Sequence, residues 1–511
     1  MGQITGLDRT QQSFWSLEDM IASESMVRVI DRFVETRDLA ALGFTRTRSA
    51  ETGRPGYAAA PLAKLYIYGY ENGIRSSRKL EKETHRNLEV MWLTGYLKPD
   101  HSSISDFRRQ NIKPIKRLFR EFVKLCRDWE LTDGKIVAQD GTKISASNGC
   151  KNNFKLKTID ERIKRIDEKI AEYLTGMDEA DQAGIDNNDG SVPSQTPNFA
   201  KLLELLNRKE KYEGYKTQMQ TADVTEISTV DPDARMMGSP GKGFDIAHNV
   251  QIAVDSKHHI VLDCDVVNNP TDRGEMSKMA KRLKKRRLIL PKGRTAYLTD
   301  KGYYSGEDLA KMKKLGIKAI VPRQDHAYPK GQPEQFRCTH FQYNPHTNTY
   351  TCPMGHILSL SASRKPDPTR LRYHNKAACK QCPHSKNCIS GKATFRTVTR
   401  SEYTNTYEAA DRTYAQNSEL YKLRKQLVEH PFGTIKRTMN GGYFLLRTLP
   451  KVRGEAALFF LAYNIKRAVN ILGFKDIMHR LQLSFPPFYP SYNFSRLVFH
   501  FPEFLFGSPV A

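Results

Sequence analysis

Long apolar runs are missing from this sequence of 511 residues. The longest, Ala456 to Tyr463, falls far short of the roughly 18 residues that a membrane span requires. The N-terminus, Met1 to Trp15, has no basic segment followed by an apolar one, so no signal peptide is expected. Acidic charge is also short. Against 81 Lys and Arg stand 56 Asp and Glu, leaving a net charge of +25 and a pI near 9.6. That excess points to a polyanion, nucleic acid before an anionic membrane. Cysteine is scarce outside one stretch: Cys126, Cys150 and Cys264 are scattered, whereas Cys338, Cys352, Cys379, Cys382 and Cys388 fall within about fifty residues. A cytosolic protein is expected, and in a reducing compartment such a cluster indicates a metal site more than disulfides.

The length suggests two to four domains at ~100–200 residues each, and the 39% of apolar residues is enough to build their cores. Residues 1–130 read as helical. A helical run starts near Pro61, another follows Ser76 and Ser77, and Gly95 ends it. Ser102 or Ser103 is expected to cap the next helix. Ile115, Leu118, Phe119, Phe122, Leu125 and Trp129 then repeat at the three-and-four spacing of an amphipathic helix. Short helices joined by Gly/Pro turns and carrying Arg108 and Arg109 suit a helix-turn-helix whose recognition helix follows the Gly95–Asp100 turn.

Residues 131–475 are expected to form a mixed α/β core with two insertions. Lys135 to Ala146 reads as strand, tight turn and strand. Strand signals return over Gly243–Val267, and a basic helix with Lys284, Lys285, Arg286 and Arg287 suggests diffuse phosphate contacts. The first insertion, 147–228, carries two apolar stripes (Ile159, Ile163, Ile166, Ile170; then Leu202, Leu203, Leu206) around an aperiodic acidic stretch, Met177 to Pro197. It is expected to be a helical hairpin with a flexible tip. The second, 326–400, holds the cysteine cluster. Cys379-x2-Cys382 has knuckle spacing, and with Cys352 and Cys388 it offers four thiolates to a structural Zn²⁺; Cys338, His356 and His384 are alternative ligands. Residues 476–511 form an aromatic tail.

Three acidic residues have settings that suit chemistry. Asp140 follows the apolar run Ile136-Val137-Ala138, and Asp300 follows Ala296-Tyr297-Leu298, so both are expected near strand exits. Glu429 lies in a late helix. Three carboxylates meeting there would repel one another unless cations neutralise them, and Mg²⁺ or Mn²⁺ suits such oxygen ligands. Two such ions stabilise the attacking and leaving oxygens of a phosphodiester. Other carboxylates have structural readings: Asp231-Pro-Asp-Ala-Arg235 as a turn capped by its own side chains, and Asp272 as a helix N-cap. Asp255 and Glu455 are further competitors.

Here the chain resembles a known family. Gln139-Asp-Gly-Thr142, Asp231-Pro-Asp-Ala-Arg235, Asn249-Val-Gln251 to Asp255, Asp300-Lys-Gly-Tyr-Tyr-Ser305 and Val428-Glu-His-Pro-Phe-Gly-Thr-Ile-Lys436 look like a bacterial insertion-sequence DDE transposase. The cysteine insertion resembles the insertion sequence eleven-eighty-two group. The resemblance covers roughly residues 15–475. It implies a ribonuclease-H-like core, Asp140, Asp300 and Glu429 as a metal-binding triad, and hydrolytic nicking at transposon ends followed by 3′-hydroxyl attack on target DNA. By motif match, Tyr421, Arg424 and Lys436 correspond to the Tyr-Arg-Glu-Lys signature of a related superfamily, with four residues instead of three between Arg424 and Glu429. Lys436, seven residues beyond Glu429, shares its helix face and is expected on DNA phosphate, as is Arg424. Pro431 is expected to break or kink that helix. The expected partners are double-stranded DNA, both transposon ends and target, and a second copy of the chain on that DNA. The expected location is the cytoplasm of a bacterium, at the nucleoid. The rival functions are a nuclease without strand transfer and a DNA-binding protein with an inactive core.

Overall fold

The apolar stripe that begins at Ile115 does form a helix, and its buried face organises the first third of the chain. In the computed structural model, which describes residues 15–47, 56–186, 199–221, 223–239, 243–291, 293–323, 333–361, 370–389 and 393–483, six helices come first. They are α1 (Met26–Glu35), α2 (Ala59–Glu71), α3 (Ser77–Arg86), α4 (Leu88–Thr94), α5 (His101–Gln110) and α6 (Ile112–Asp128). Gly95 ends α4 in the left-handed region at φ 62°, which costs a residue without Cβ little. The cap of α5 is Asp100, which accepts from Ser103 N at 2.9 Å, and not either serine: a carboxylate one residue before the helix reaches the free N–H groups. Phe119 and Phe122 of α6 are essentially fully buried, each contributing about 1.5–3 kcal/mol.

A mixed sheet follows, with strands β1 (Ile136–Ser145), β4 (Arg235–Ser239), β5 (Gly243–Asp255), β6 (Val261–Val267), β7 (Ala296–Leu298) and β8 (Lys318–Ile320). Between β1 and β4 comes the small ladder of β2 (Asn153–Lys155) and β3 (Glu226–Ser228). In the main sheet β1 is central. It pairs antiparallel with β5 on one side and parallel with β7 on the other, β8 extends the parallel edge, and β4 and β6 both pair antiparallel with β5. The turn expected within 135–146 does not form; β1 runs straight through Gly141, because the whole segment finds ladder partners from Asp255 to Ala247.

The hairpin insertion is present as α7 (Leu156–Asp186) and α8 (Phe199–Thr221), closed at its base by Phe154, Ile159 and Met219. Helix α7 continues well past Met177, where the loop was expected; residues 187–198 lie outside the described residues. Helices α9 (Glu275–Lys285) and α10 (Gly306–Leu315) flank β7 in the chain. The cysteine insertion is a second sheet, β9 (Gln342–Asn344), β10 (Thr349–Thr351), β11 (Ile357–Leu360), β12 (Arg370–His374) and β13 (Thr397–Ser401), paired antiparallel in order. Two short helices, α11 (Lys376–Gln381) and α12 (Ser385–Cys388), join β12 to β13. Helices α13 (Thr404–Ala415), α14 (Ser418–Tyr421), α15 (Leu423–Arg437) and α16 (Leu449–Leu483) complete the fold. Pro431 lies inside α15 without ending it, and α16 is interrupted at Gly473. Residues 484–511, the aromatic tail, lie outside the described residues. No described helix is long and apolar enough to cross a membrane.

Helix α16 sets the architecture. It packs against α1, α2 and α6 on one side and β6 and α15 on another, so the N-terminal helices and the sheet share one continuous core. The chain boundary near residue 130 is therefore not a packing boundary. Arg75 and Glu455, both almost fully buried, form an ion pair at 3.2 Å across this seam, and Glu455 also accepts from the backbone of Leu445 and Leu446.

Candidate active site

The parallel pairing of β1 with β7 stops at Ala138 opposite Leu298. Asp140 stands two residues beyond that point on β1, and Asp300 two residues beyond it after β7, so adjacent strands deliver both carboxylates to the same end of the sheet. Asp300 accepts from Gly302 N at 2.8 Å, capping a single 3-10 turn (Lys301–Tyr303). Asp140 accepts from Gly141 N at 2.8 Å and from Arg424 Nη1 at 3.1 Å, the guanidinium reaching in from α15. Burial pushes the Asp140 carboxyl up to about 6; Arg424 opposes the shift, and Asp300 and Asp272 add to it.

Asp272 is the residue that sequence reasoning misplaced. Helix α9 starts after Gly274, whose backbone is left-handed, and the Asp272 side chain does not cap it. It turns instead toward β5, accepting from Asn249 Nδ2 at 2.8 Å and Gln251 Nε2 at 2.7 Å, with Lys143 Nζ at 3.6 Å. Gly141 makes this approach possible: a Cβ there would overlap Gln251 Nε2 and sit 2.6 Å from Asp272 Oδ1. A buried network lies below. Tyr297 Oη donates to Gln139 Oε1 at 2.7 Å, Gln139 Nε2 donates to Gln251 Oε1 at 3.1 Å, and Tyr303 donates to the same oxygen. Such a satisfied network fixes the amide orientations, and with them the carboxylate they hold. The signal available in the sequence was the pair Asn249 and Gln251, two amides two residues apart on one face of a strand, which need an acceptor when buried.

The remaining expected residues are dispersed. Glu429 lies on α15, 63% exposed, 3.9 Å from Lys425, and no contact joins it to the aspartates. Lys436 donates to Thr142 Oγ1 at 2.6 Å, so α15 meets β1 at two points, through Arg424 and through Lys436. Arg424 is thus held by Asp140 where a phosphate contact was expected, because a partly buried guanidinium needs the carboxylate beside it. Arg108 is a second correction. It is buried, donating to Tyr70 Oη and the Arg75 carbonyl and lying over the Tyr66 ring, and it cannot read DNA from there. Arg109 is exposed, bonded to Asp106 on its own helix. Arg286 pairs with Asp263, while Lys284, Lys285 and Arg287 face solvent. The Asp231 turn holds as expected, Asp233 N donating to Asp231 Oδ1. Its larger role was not foreseen: Asp231 is hydrogen-bonded to His248 Nε2 at 2.9 Å, both wholly buried. Asp255 is buried, accepting from Gly134 N and Lys257 N.

None of the cysteines forms a disulfide. Cys352, Cys379, Cys382 and Cys388 line one small pocket under the second sheet, with His356 at its edge. Burial raises the Cys388 thiol, Arg396 opposes the shift, and the other three cysteines add to it. Cys338 stands apart, accepting from Arg396 Nη2 at 3.0 Å, and the His384 ring lies against Phe336. Among the described residues no three or more His, Cys, Asp or Glu side chains stand ready-made as a metal-holding group.

Comparison with known proteins matches residues 15–110 to the family model described as Transposase domain (DUF772), and residues 351–469 to the model described as Transposase DDE domain. The second match includes Glu429, Lys436 and four of the clustered cysteines; Asp140 and Asp300 lie between the two matched segments. Among solved structures the chain is similar to a piggyBac transposase synaptic complex with hairpin DNA, at 8% identity over 91% of this chain and 86% of that one, with a TM-score of 0.26, at which no shared fold follows. No curated protein matches the chain. Two segments of the chain thus match transposase domain models, one over the N-terminal helices and one spanning most of the cysteine-rich sheet and the helices after it.

Proposed function

We propose that the protein is a DNA transposase of the DDE type, cutting at the ends of its own element and joining the freed 3′-hydroxyl to target DNA. The observation that carries the reading is the delivery of Asp140 and Asp300 to one end of the adjacent parallel strands β1 and β7. The strand order, with β1, β7 and β8 parallel and β5 antiparallel beside them, suits the ribonuclease-H-like core that the resemblance implies. This reading assigns Glu429, exposed on α15 seven residues before the Lys436 that meets β1, as the third member, with Asp272 as an additional carboxylate beside the pair.

Hard oxygen donors of this kind fit Mg²⁺ or Mn²⁺, which would polarise the phosphodiester and favour ionisation of the attacking water or hydroxyl. The protein's own groups have separable duties. Asp140 and Asp300 would hold the metal, Gly141 N and Gly302 N fix one oxygen of each carboxylate, and Arg424 keeps Asp140 from standing as an uncompensated buried charge. Lys143 and Lys436 lie at the same end of the sheet, where scissile phosphates would meet them. In the cysteine-rich sheet, Cys352, Cys379, Cys382 and Cys388 suit a structural Zn²⁺ closed by four sulfurs. The exposed cations Arg109, Lys284, Lys285 and Arg287 remain candidates for phosphate contacts, and a homodimer on DNA is the assembly this reading expects.

The test is direct. Purified protein with Mg²⁺ is incubated with duplex DNA carrying the sequences that flank its own gene, and the products are mapped at nucleotide resolution. Nicks at defined element ends, followed by joined products, are expected; uniform or absent cleavage contradicts the reading.

A further inference from the structure

The cysteine-rich sheet has one apolar face and one polar face, and the polar face is strongly positive. From Thr351 to Ser401 the sequence holds ten Lys and Arg against one acid, Asp367. Strand alternation sorts the described ones. On β12, Leu371 and Tyr373 turn inward to a small core with Tyr350, Leu358 and Val398, while Arg370, Arg372 and His374 take the other side. Register places Arg372 opposite Thr399 and His374 opposite Thr397, so a hydroxyl-bearing residue stands across from each. Lys376 enters from the start of α11, its Nζ 5.1 Å from the Phe395 ring centre, and Phe395 in turn stacks near His374 at 4.9 Å. Arg372, His374, Lys376 and Phe395 line a shallow groove whose lining holds no carboxylate, whereas Arg370 lines a neighbouring groove together with Glu408 and Asp411. Arg370, Arg372 and Lys376 are exposed and enter no ion pair among the described residues, unlike Arg400 on the inner face, which is buried against Tyr350.

We propose that this face is a second DNA-binding surface, gripping the phosphate backbone of duplex DNA outside the cleavage site; it rests on the transposase reading. A solvated basic face is commonplace, but an acid-free groove holding Arg372 and Lys376, with Arg370 two residues away on the same face of β12, is suited to a polyanion track. Arg370 and Arg372, two residues apart on one strand, are separated by about 6.8 Å, close to the rise of two base pairs in B-DNA at about 3.4 Å each. Ser359, Thr397 and Thr399 add neutral donors of the kind that position a backbone without reading bases.

The test uses the full chain and a labelled 30-base-pair duplex of random sequence. Arg370, Arg372 and Lys376 are replaced together by Ala, and a control removes Lys164, Arg165 and Lys169 from the exposed side of α7. Zinc content and melting profile check that each variant is folded; a milder Arg372→Gln, Lys376→Gln pair is measured alongside. At 100 mM salt the triple variant should bind at least tenfold more weakly, and its log–log salt slope should flatten by roughly 2–3, at about 0.9 per released phosphate contact. The control should shift the slope by less than one contact. Equal binding by the triple variant and wild type overturns the proposal and leaves the transposase reading standing. Weakening confined to a single-stranded 30-mer also overturns it, since the surface then grips unpaired strands. If the wild type itself binds no duplex, the transposase reading falls first.

Discussion

At the scale of single residues, Asp140, to which the proposed function assigns metal binding, carries a cost. Its carboxyl, pushed up to about 6 by burial, lies above the unperturbed value of about 3.9. The native state therefore binds more protons than the unfolded chain between those values. The stability this gives is fully present below the unfolded pKa and is lost as pH rises through about 6. Between pH 5 and 7.5 the loss should be about 1 kcal/mol. Denaturation of wild type and Asp140→Asn at both pH values should show the wild-type decline exceeding that of the variant by this amount; parallel declines would mean that Asp140 is ordinary in its titration. The residues also show what the sequence made legible. The place of Asp300 just past a strand was readable from the apolar run before it, whereas Asp140, expected near a strand exit, lies inside β1, which runs on to Ser145. Asp272 was not readable, because its place depends on side chains of β5, more than twenty residues earlier in the chain and with no local signature. Arg108 failed for a related reason: charge in a sequence predicts exposure, but a guanidinium over Tyr66 with Tyr70 to bond is stable inside.

At the scale of elements, helices with clean apolar stripes were legible, as α6 and the base of the hairpin show, and so were the strands leading to the site. The course of β1 was not. Gly141 signalled a turn locally, whereas its use is to let Gln251 and Asp272 approach. Nor could the stripe of α16 say that it would bind two bodies together. The Arg75–Glu455 pair is the sharpest probe of that seam. Removing one partner of a buried pair leaves the other charge uncompensated, at about 3–5 kcal/mol. Glu455→Ala should lower stability by that order in a denaturant titration and expose the α3 region to proteolysis; a cost below 1 kcal/mol would mean the pair is dispensable. The second sheet has its own test. With five short strands over a small core, it is expected to depend on metal. Cys382→Ser should cut bound zinc to a fraction of one equivalent and lower the melting temperature. Purified wild type without zinc, melting as the variant does, would reject the four-thiolate site.

At the scale of the whole molecule, the N-terminal helices and the sheet share one core. The positive charge is divided by the fold. Part of it is internal, in Arg75 and Arg108, and Arg286 is half-buried against Asp263. Lys143 is mostly covered beside Asp272, and exposed cations remain on α9 (Lys284, Lys285) and on the second sheet (Arg370, Arg372). The central claim is that Asp140 and Asp300 form the metal-dependent cutting centre, and one measurement tests it most directly. Cleavage of the element ends in Mg²⁺ is timed for wild type and Asp300→Asn, with end-binding affinity measured in parallel. The account predicts a rate loss of about a thousandfold or more, roughly 4 kcal/mol of barrier, with affinity within about threefold. Cleavage by Asp300→Asn within tenfold of wild type would contradict it.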